Sequence, residues 1–423
     1  MAREKQLVGV VAVFAVLSAA AGACGGGEGG GGGSGAGAPP GEGGTTGTNL
    51  SQRPSPAVPL FDGDRVHELS LEMSAEDWQS ILDDSRADEW RHAKLTYDGV
   101  VVENVGVHPA GESSRFAGNV KMSIRIKFTA FDGGPFGGYH DINVKGEYDD
   151  GSMLRERLAL FVFGTLIPAP KAAHAQLTVN GDLRGLFTLR QDWDEQSIAE
   201  HFSQPLGPLY RLRPYNEMLD PYIYAGTDPA TYVPQPWEPK FKMPARGDEV
   251  IAPFLQAINS NPSPLESVSD VDELLGYLAA SAIVMTTDGL VGNSGAADHF
   301  EYFDPQSGKF SVLPWDPDNS FGSAGEVPTR SIYSKLGRNA YVMVVRDQSN
   351  YQERYRMKLV EAIGKLPLAA LHAEADRIYN QIKDTAHADP VKTFPNDTFD
   401  WNITNIKDFA AARYASMQGQ LGN

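Results

Sequence analysis

The chain has 423 residues and a formal net charge of −18 at pH 7, and it contains a single cysteine, Cys24. The charge excludes a typical nucleic-acid-binding protein, which carries a basic surface, and it favours basic partners such as a basic protein substrate. The lone cysteine excludes an intramolecular disulfide and a cysteine-based zinc site.

Residues 1–23 predict an export signal, because Arg3 and Lys5 precede an apolar stretch that is too short for a permanent membrane helix. The stretch ends in small residues and Cys24, which resembles the lipid-attachment motif of bacterial lipoproteins, although Ala21 stands where leucine is usual. We therefore expect an exported protein of the cell envelope that is lipidated at Cys24. Ordinary signal cleavage, which leaves a free thiol, is the alternative.

Residues 24–58 are rich in Gly, Ser, Thr and Pro, a composition that predicts a flexible linker. One folded domain is expected over residues 59–423, a length that allows two lobes. Alternating apolar residues and two turn signals, Asp98-Gly99 and Asn180-Gly181, predict a strand-rich first part. Its predicted elements are strands at 66–72 and 121–128, hairpins over 94–107 and 173–189, and helices at 74–82, 150–163 and 194–202.

The second part predicts mainly helices, so the expected fold class is α+β. Before them, residues 203–246 are rich in Pro, Tyr and Gly and predict a long loop, of the kind that often acts as a lid. An apolar helix at 271–287 is expected to deliver Asp288 at its C-terminal end. Further helices are predicted at 351–365, 368–382 and 406–421.

Two acidic motifs in the second part carry the predicted chemistry. An apolar strand ends at Asp316 and Asp318, whose side chains point the same way on an extended chain and can converge on one divalent cation. Asp288 and Asn293 have the spacing of a kinase catalytic loop, in which the aspartate accepts the proton of the substrate hydroxyl and the asparagine binds metal. Together the motifs suggest metal-dependent phosphoryl transfer.

The predicted strand at 121–128 supplies a candidate phosphate-binding face. Its alternation places Lys121, Arg125 and Lys127 on one side and apolar residues on the other. A basic stripe that faces a cleft binds phosphates. A solvated sheet face is the alternative.

A phosphohydrolase is a weaker interpretation of the same carboxylates. The pattern Asp316-x-Asp318-x-Ser320 resembles the nucleophile strand of haloacid-dehalogenase-type enzymes, but the remaining residues contain no clear downstream lysine and paired acidic motif. A calcium loop of the EF-hand type is excluded, because its twelfth position is Val327 instead of a glutamate.

Several separated motifs resemble the spore coat protein H (CotH) kinase family and follow one another across residues 60–420. They are the segments 123–128, 150–155, 180–187, 270–278, 301–310 and 313–322, together with Asp288 and Asn293. The resemblance implies a secreted, atypical protein kinase with a bilobal fold, whose N-terminal lobe is β-rich and whose C-terminal lobe is mainly helical. It further implies that ATP and Mg²⁺ or Mn²⁺ are used to phosphorylate Ser or Thr of envelope or coat proteins.

The resemblance also assigns roles to individual residues. It makes Asp288 the catalytic aspartate. The implied metal ligands are Asn293, Asp316 and Asp318, and the implied nucleotide contacts are Lys121, Arg125, Lys127 and Gln191.

Four positions depart from the family pattern. Ala110 and Glu112 replace the Arg and Asn of the family's Arg-Gly-Asn-Ser-Ser turn, Gln191 replaces a glutamate, and Asp298 stands where asparagine is common. These changes remove hydrogen-bond donors and add negative charge beside the predicted nucleotide site. A catalytically inactive family member, serving as a binding or structural module on the cell surface, is therefore the alternative to an active kinase.

Overall fold

The computed structural model describes residue 56 and residues 59–84, 89–111, 114–213, 220–241 and 247–422. The predicted signal peptide at 1–23, Cys24 and nearly all of the linker at 24–58 lie outside the described residues, as does Glu112. Within the described ranges, no helix combines the length and the apolar character needed to span a membrane.

The strand-rich first part closes into a β-barrel. Its strands are β1 (Val66–Met73), β2 (Arg91–Tyr97), β3 (Val100–Pro109), β4 (Ile124–Lys127), β5 (Asp141–Lys145), β6 (Ala172–Val179) and β7 (Asp182–Arg190). They pair in the order β1-β2-β3-β4-β5-β7-β6, and β1 closes the barrel by pairing parallel to β6. Closure leaves this sheet without an open edge.

Both predicted hairpins are confirmed. The turn between β2 and β3 has φ angles of 47° at Asp98 and 80° at Gly99, and the turn between β6 and β7 has 51° at Asn180 and 86° at Gly181. Two successive left-handed residues are what a tight hairpin turn needs to match the twist of its strands. Alternate residues of β2, including Leu95, fill the barrel interior.

The strand predicted at 121–128 is shorter than expected, since β4 comprises only Ile124–Lys127. Lys121 lies in a turn before it. A side-chain Cβ on Gly146 would lie 1.8 Å from the carbonyl oxygen of Lys121, so this turn packs directly on the backbone that follows β5. Lys121 therefore does not share a strand face with Arg125 and Lys127.

A second sheet corrects the expectation of a long loop at 203–246. Its strands are β8 (Leu209–Leu212), β9 (Trp237–Phe241), β10 (His299–Asp304) and β11 (Lys309–Pro314), in the order β11-β10-β8-β9. Both β8 and β9 come from the segment expected to form a loop. β9 contains Pro239, which cannot donate to a sheet ladder and weakens a strand prediction.

Helices dominate the remainder, which confirms the α+β class. Two of them, α1 (Ala75–Leu82) and α2 (Arg155–Gly164), accompany the barrel, and α3 (Glu195–Ala199) follows it. The others are α4 (Ile251–Ile258), α5 (Val271–Val284), α6 (Ala340–Asp347), α7 (Ser349–Lys365), α8 (Leu368–His387) and α9 (Asn396–Leu421). The apolar helix α5 is buried almost all round and contacts α2, α7 and α9.

The end of α5 differs from the prediction. Met285 adopts a left-handed φ of 56° and terminates the helix at Val284. Asp288 therefore lies in the loop after α5, and not at the end of a helix that runs to residue 287.

Candidate active site

A cavity of about 520 Å³ lies between the barrel and the second sheet. The barrel contributes residues of β3, β4, β5 and β7. The part of the chain after the barrel, called the second half here, contributes residues of β8, β9 and β10 and of the loops after α5 and β11. Of the predicted site residues, Arg125, Asp288, Asp316 and Asp318 line this cavity. The two acidic motifs thus meet in one place, in a volume typical of a small-molecule site.

Backbone hydrogen bonds hold the two acidic loops together. The N–H of Thr287 donates to the carbonyl of Asn319 at 2.8 Å, and the N–H of Phe321 donates to the carbonyl of Val284 at 2.7 Å. Asp316 itself has a φ of 53°, a conformation that non-glycine residues adopt rarely and that is enriched at functional sites. The loop after β11 is therefore registered against the loop that carries Asp288.

Asp316, Asp318 and Glu156 form the acidic side of the cavity, and Lys145, at the end of β5, is its central cation. Its ammonium donates to Asp316 at 2.5 Å and to Asp318 at 2.8 Å, and it lies 3.3 Å from Glu156 of α2. Arg190, at the end of β7, bridges Glu156 and Asp316 from the neighbouring strand and lies 3.7 Å from the centre of the Trp315 ring. The sequence interpretation missed Lys145, Glu156 and Arg190.

The start of α2 is fixed by the carboxylate of Asp150, which places Glu156 towards Lys145. Asp150 accepts the backbone N–H groups of Ser152, Leu154 and Arg155 at 2.9–3.1 Å, and also binds the Arg155 guanidinium. Capping of this kind satisfies N–H groups that the first helical turn leaves without partners. The motif Asp150-x-Ser152-x-x-Arg155 thus has a structural role behind the cavity.

The charges around Lys145 shift the pKa values of its neighbours in opposite directions. Burial opposes ionisation of Asp316, but Lys145 and Arg190 outweigh it and lower the pKa of Asp316 below its usual range. Burial, together with the charges of Asp316 and Glu156, raises the pKa of Asp318 to about 8 despite the contact with Lys145. The acidic side therefore carries more carboxylates than its two cations neutralise.

Asp288 lies in the same cavity with a partner that orients it. Its side chain is hydrogen-bonded to Asn319, and the hydroxyl of Thr287 donates to its Oδ2 at 3.4 Å. Burial raises the pKa of Asp288, and the nearby charges of Asp298 and Asp316 add to this effect. A carboxylate with a raised pKa is a better proton acceptor than a free aspartate.

Arg125 also lines the cavity, within a second group of charged side chains. Its guanidinium donates to Asp141 at 2.7 Å and to Asp192 at 2.5 Å. Lys240 of β9 donates to the same Asp192 at 2.7 Å. Arg125 therefore lies in the cavity lining, where two carboxylates hold its guanidinium.

Neither predicted lysine reaches the cavity. Lys121 is 1% exposed, and its ammonium donates to Asp389 at 2.9 Å and to the carbonyl of Leu186 at 2.6 Å. Lys127 lies 5.4 Å from the centre of the Trp90 ring, outside the cavity lining. The predicted basic stripe therefore does not form a phosphate-binding face. Lys121 is buried in an ion pair with Asp389, and Lys127 lies outside the cavity lining.

Gln191 and Asn293 also lie outside the cavity lining. The Gln191 amide accepts from the backbone of Lys171 at 3.0 Å, and the Asn293 amide donates to Glu326 at 2.8 Å. Asn293 is exposed, and its side-chain amide also accepts from Arg338 at 3.3 Å. Asn319, which lines the cavity beside Asp318, is the amide that the structure brings to the acidic side.

No group of three or more His, Cys, Asp or Glu side chains in the described part of the chain is arranged as a ready metal site. The carboxylates of Asp316 and Asp318 are instead bridged by Lys145. The donor set still fits a hard divalent cation, because these carboxylate oxygens and the amide oxygen of Asn319 are the ligands such ions prefer. A cation that binds here competes with the Lys145 ammonium and with the proton that the raised pKa of Asp318 favours.

The structure is that of an α+β protein with a charged cleft between its barrel and the part of the chain that follows it. Two loops contribute carboxylates to this cleft, and a barrel strand contributes a lysine. The chain belongs to the CotH kinase protein family, whose model matches residues 107–417. It is 25% identical over 315 residues to the inner spore coat protein H of Bacillus subtilis (strain 168), a match that covers 71% of this chain and 83% of that protein. The resemblance inferred from the separated motifs is thereby confirmed.

Proposed function

We propose that this chain is a divalent-metal-dependent protein kinase that transfers the terminal phosphoryl group of ATP to a Ser or Thr hydroxyl of envelope or coat proteins. The observation that carries the proposal is the Lys145 cluster. A lysine on a barrel strand, paired with a glutamate on the following helix and adjacent to the Asp-x-Asp carboxylates, is the arrangement that positions ATP in protein kinases. The barrel then corresponds to the N-terminal lobe and the helical half to the C-terminal lobe of a bilobal kinase-like fold.

The contacts support a proposed role for each side chain. Lys145, kept in place by Glu156, takes over the phosphate-binding role that the sequence assigned to Lys121 or Lys127. Asp316, with Asp318 and Asn319, would hold Mg²⁺ or Mn²⁺, which when bound neutralises the charge of the nucleotide phosphates. Ionisation of Asp316 is secured by Arg190 in the absence of the ion.

Asp288 is the proposed catalytic residue. The acceptor hydroxyl oxygen forms a bond to the terminal phosphorus, the bond from that phosphorus to the ADP oxygen breaks, and Asp288 takes the hydroxyl proton. The hydrogen bond from Asn319 fixes the direction of the carboxylate, and burial raises its pKa toward that of a working base. The raised pKa predicts that transfer becomes faster as the pH rises and Asp288 loses its proton.

The proposed place of action is the cell envelope. The relative in Bacillus subtilis is described as an inner spore coat protein, and the sequence of the first 24 residues favours export with lipid attachment at Cys24. A lipid-anchored kinase on a flexible linker would reach substrates within the length of its tether.

An inactive, binding-only member of the family is the second candidate, and one observation favours it. Ala110 lines the cavity at a position where the family pattern has an arginine, so one phosphate donor is missing. The substitution at Gln191 no longer supports this alternative, because Gln191 lies outside the cavity lining.

Incubation of the purified chain with labelled ATP, Mn²⁺ and envelope proteins tests the proposal. We expect incorporation of label into protein, and a loss of about 10²–10⁴-fold for Asp288→Ala and a comparable loss for Asp316→Ala. Asp272→Ala, which removes a carboxylate that is 74% exposed on α5, is the matched control and should retain the rate. Wild-type rates in Asp288→Ala would refute its role, and metal-dependent ATP binding without any transfer would favour the binding module.

A further inference from the structure

Glu147 lines the cavity from the loop after β5 and is 4% exposed. Neither of its carboxylate oxygens has a hydrogen-bond partner among the residues that the structure describes. Burial of a carboxylate without a partner is costly, and such groups are normally paired or bound to a metal. The unsatisfied oxygens therefore point to a ligand that Glu147 binds.

The position of Glu147 is set by its backbone. The preceding Gly146 lies so close to Lys121 that an added Cβ would be 1.8 Å from the Lys121 carbonyl oxygen, and the N–H of Gly146 donates to the hydroxyl of Ser123 at 3.0 Å. Glu147 itself has a φ of 52°, which is uncommon for a residue with a side chain. The tight approach and the left-handed conformation together direct the carboxylate into the cavity.

Lys145, the cation closest in sequence, is hydrogen-bonded to other carboxylates. Its ammonium donates to Asp316 at 2.5 Å and to Asp318 at 2.8 Å and lies 3.3 Å from Glu156, and it makes no hydrogen bond to Glu147. With Glu147 included, four carboxylates face only two cations, Lys145 and Arg190. Glu147 is the member of this group that has no hydrogen bond to a cation among the described residues.

We propose that Glu147 is a ligand of a divalent cation, which it binds together with Asp318. The inference deepens the proposed function, on which it rests, by adding a ligand from the barrel to the carboxylates of the second half. Glutamate supplies one or two oxygens to Mg²⁺ or Mn²⁺. Because Glu147 follows β5 of the barrel and Asp318 follows β11 of the second sheet, these two residues would hold the ion from both walls of the cavity.

Manganese binding to the full-length chain without nucleotide tests this ligand, with free Mn²⁺ measured by electron paramagnetic resonance. We expect Glu147→Gln to weaken Mn²⁺ binding by about tenfold or more. Glu103→Gln is the matched control, since it makes the same change at an exposed residue of β3 outside the cavity lining and should change the affinity by less than about twofold. Thermal unfolding should show that the same Mn²⁺ concentration raises the Tm of Glu147→Gln by less than that of the wild-type chain.

Equal Mn²⁺ affinities for Glu147→Gln and Glu103→Gln would overturn the inference. If Asp316→Asn weakens Mn²⁺ binding in the same experiment, the proposed function survives that result. A wild-type chain that binds no Mn²⁺ would overturn both. Should Glu147→Gln fail to fold, Glu147→Asp withdraws the carboxylate by one methylene group and provides the same comparison.

Discussion

Replacement of Lys145 by methionine tests the cluster on which the proposed function depends. Methionine keeps most of the length and volume of the side chain and removes its charge. The ammonium is 15% exposed and lies within 3.3 Å of three carboxylates, so its loss leaves Asp316, Asp318 and Glu156 without their common cation.

The expected loss of stability follows from these contacts. Removal of one partner from a buried ion pair costs about 3–5 kcal/mol. Two effects moderate the loss here: Arg190 still binds Asp316 and Glu156, and the raised pKa of Asp318 lets it take up a proton. We therefore expect the lower end of the range, about 3 kcal/mol, measured by urea unfolding at pH 7.

Nucleotide binding and transfer should suffer more than folding. Loss of a positioned charge next to developing phosphate charge costs about 10²–10³-fold in rate, and calorimetry should show weaker ATP binding in the same variant. Lys94→Met is the matched control, because Lys94 is also a barrel-strand lysine but forms a surface ion pair with Glu72, and exposed pairs of this kind contribute little to stability. If Lys145→Met binds and uses ATP like Lys94→Met, the cluster does not contact the nucleotide.

Three further results are expected. Lys121→Met should lower the free energy of unfolding by about 3–5 kcal/mol, because it leaves Asp389 buried without its cation. Calorimetry on the folded variant should show unchanged ATP affinity. A selective loss of ATP binding would instead indicate that Lys121 contacts the nucleotide. Burial lowers the pKa of His174 to about 3, so the unfolded chain binds a proton near pH 6.5 that the folded protein excludes. Stability should then fall as the pH drops below about 6.5, by at most about 1.4 kcal/mol per unit, and an equally steep loss in His174→Asn would contradict this assignment. Cys24→Ser should abolish incorporation of labelled fatty acid and partition into detergent, whereas an unlabelled wild-type chain would refute lipidation.

Much of the local structure was predictable from the sequence. The turns at Asp98-Gly99 and Asn180-Gly181 follow from residues that accept left-handed backbone angles, and the long apolar run of α5 predicts a buried helix. Both signals lie within a few residues of the chain, and so both survive folding largely unchanged. The expectation of an extended chain at Asp316 and Asp318 was wrong, because β11 ends at Pro314 and Asp316 has a left-handed φ of 53° in the loop after it.

The partners of charged side chains were decided only by the tertiary structure. Lys145 and Asp316 are 171 residues apart in the chain, and no pattern around Lys145 distinguishes it from Lys121 or Lys127. Lys121 carried the more suggestive pattern, yet it is buried against Asp389, 268 residues away. The strength and role of a charge depend on burial and on the charges within a few ångströms, and barrel closure and packing of the helical half against it determine both.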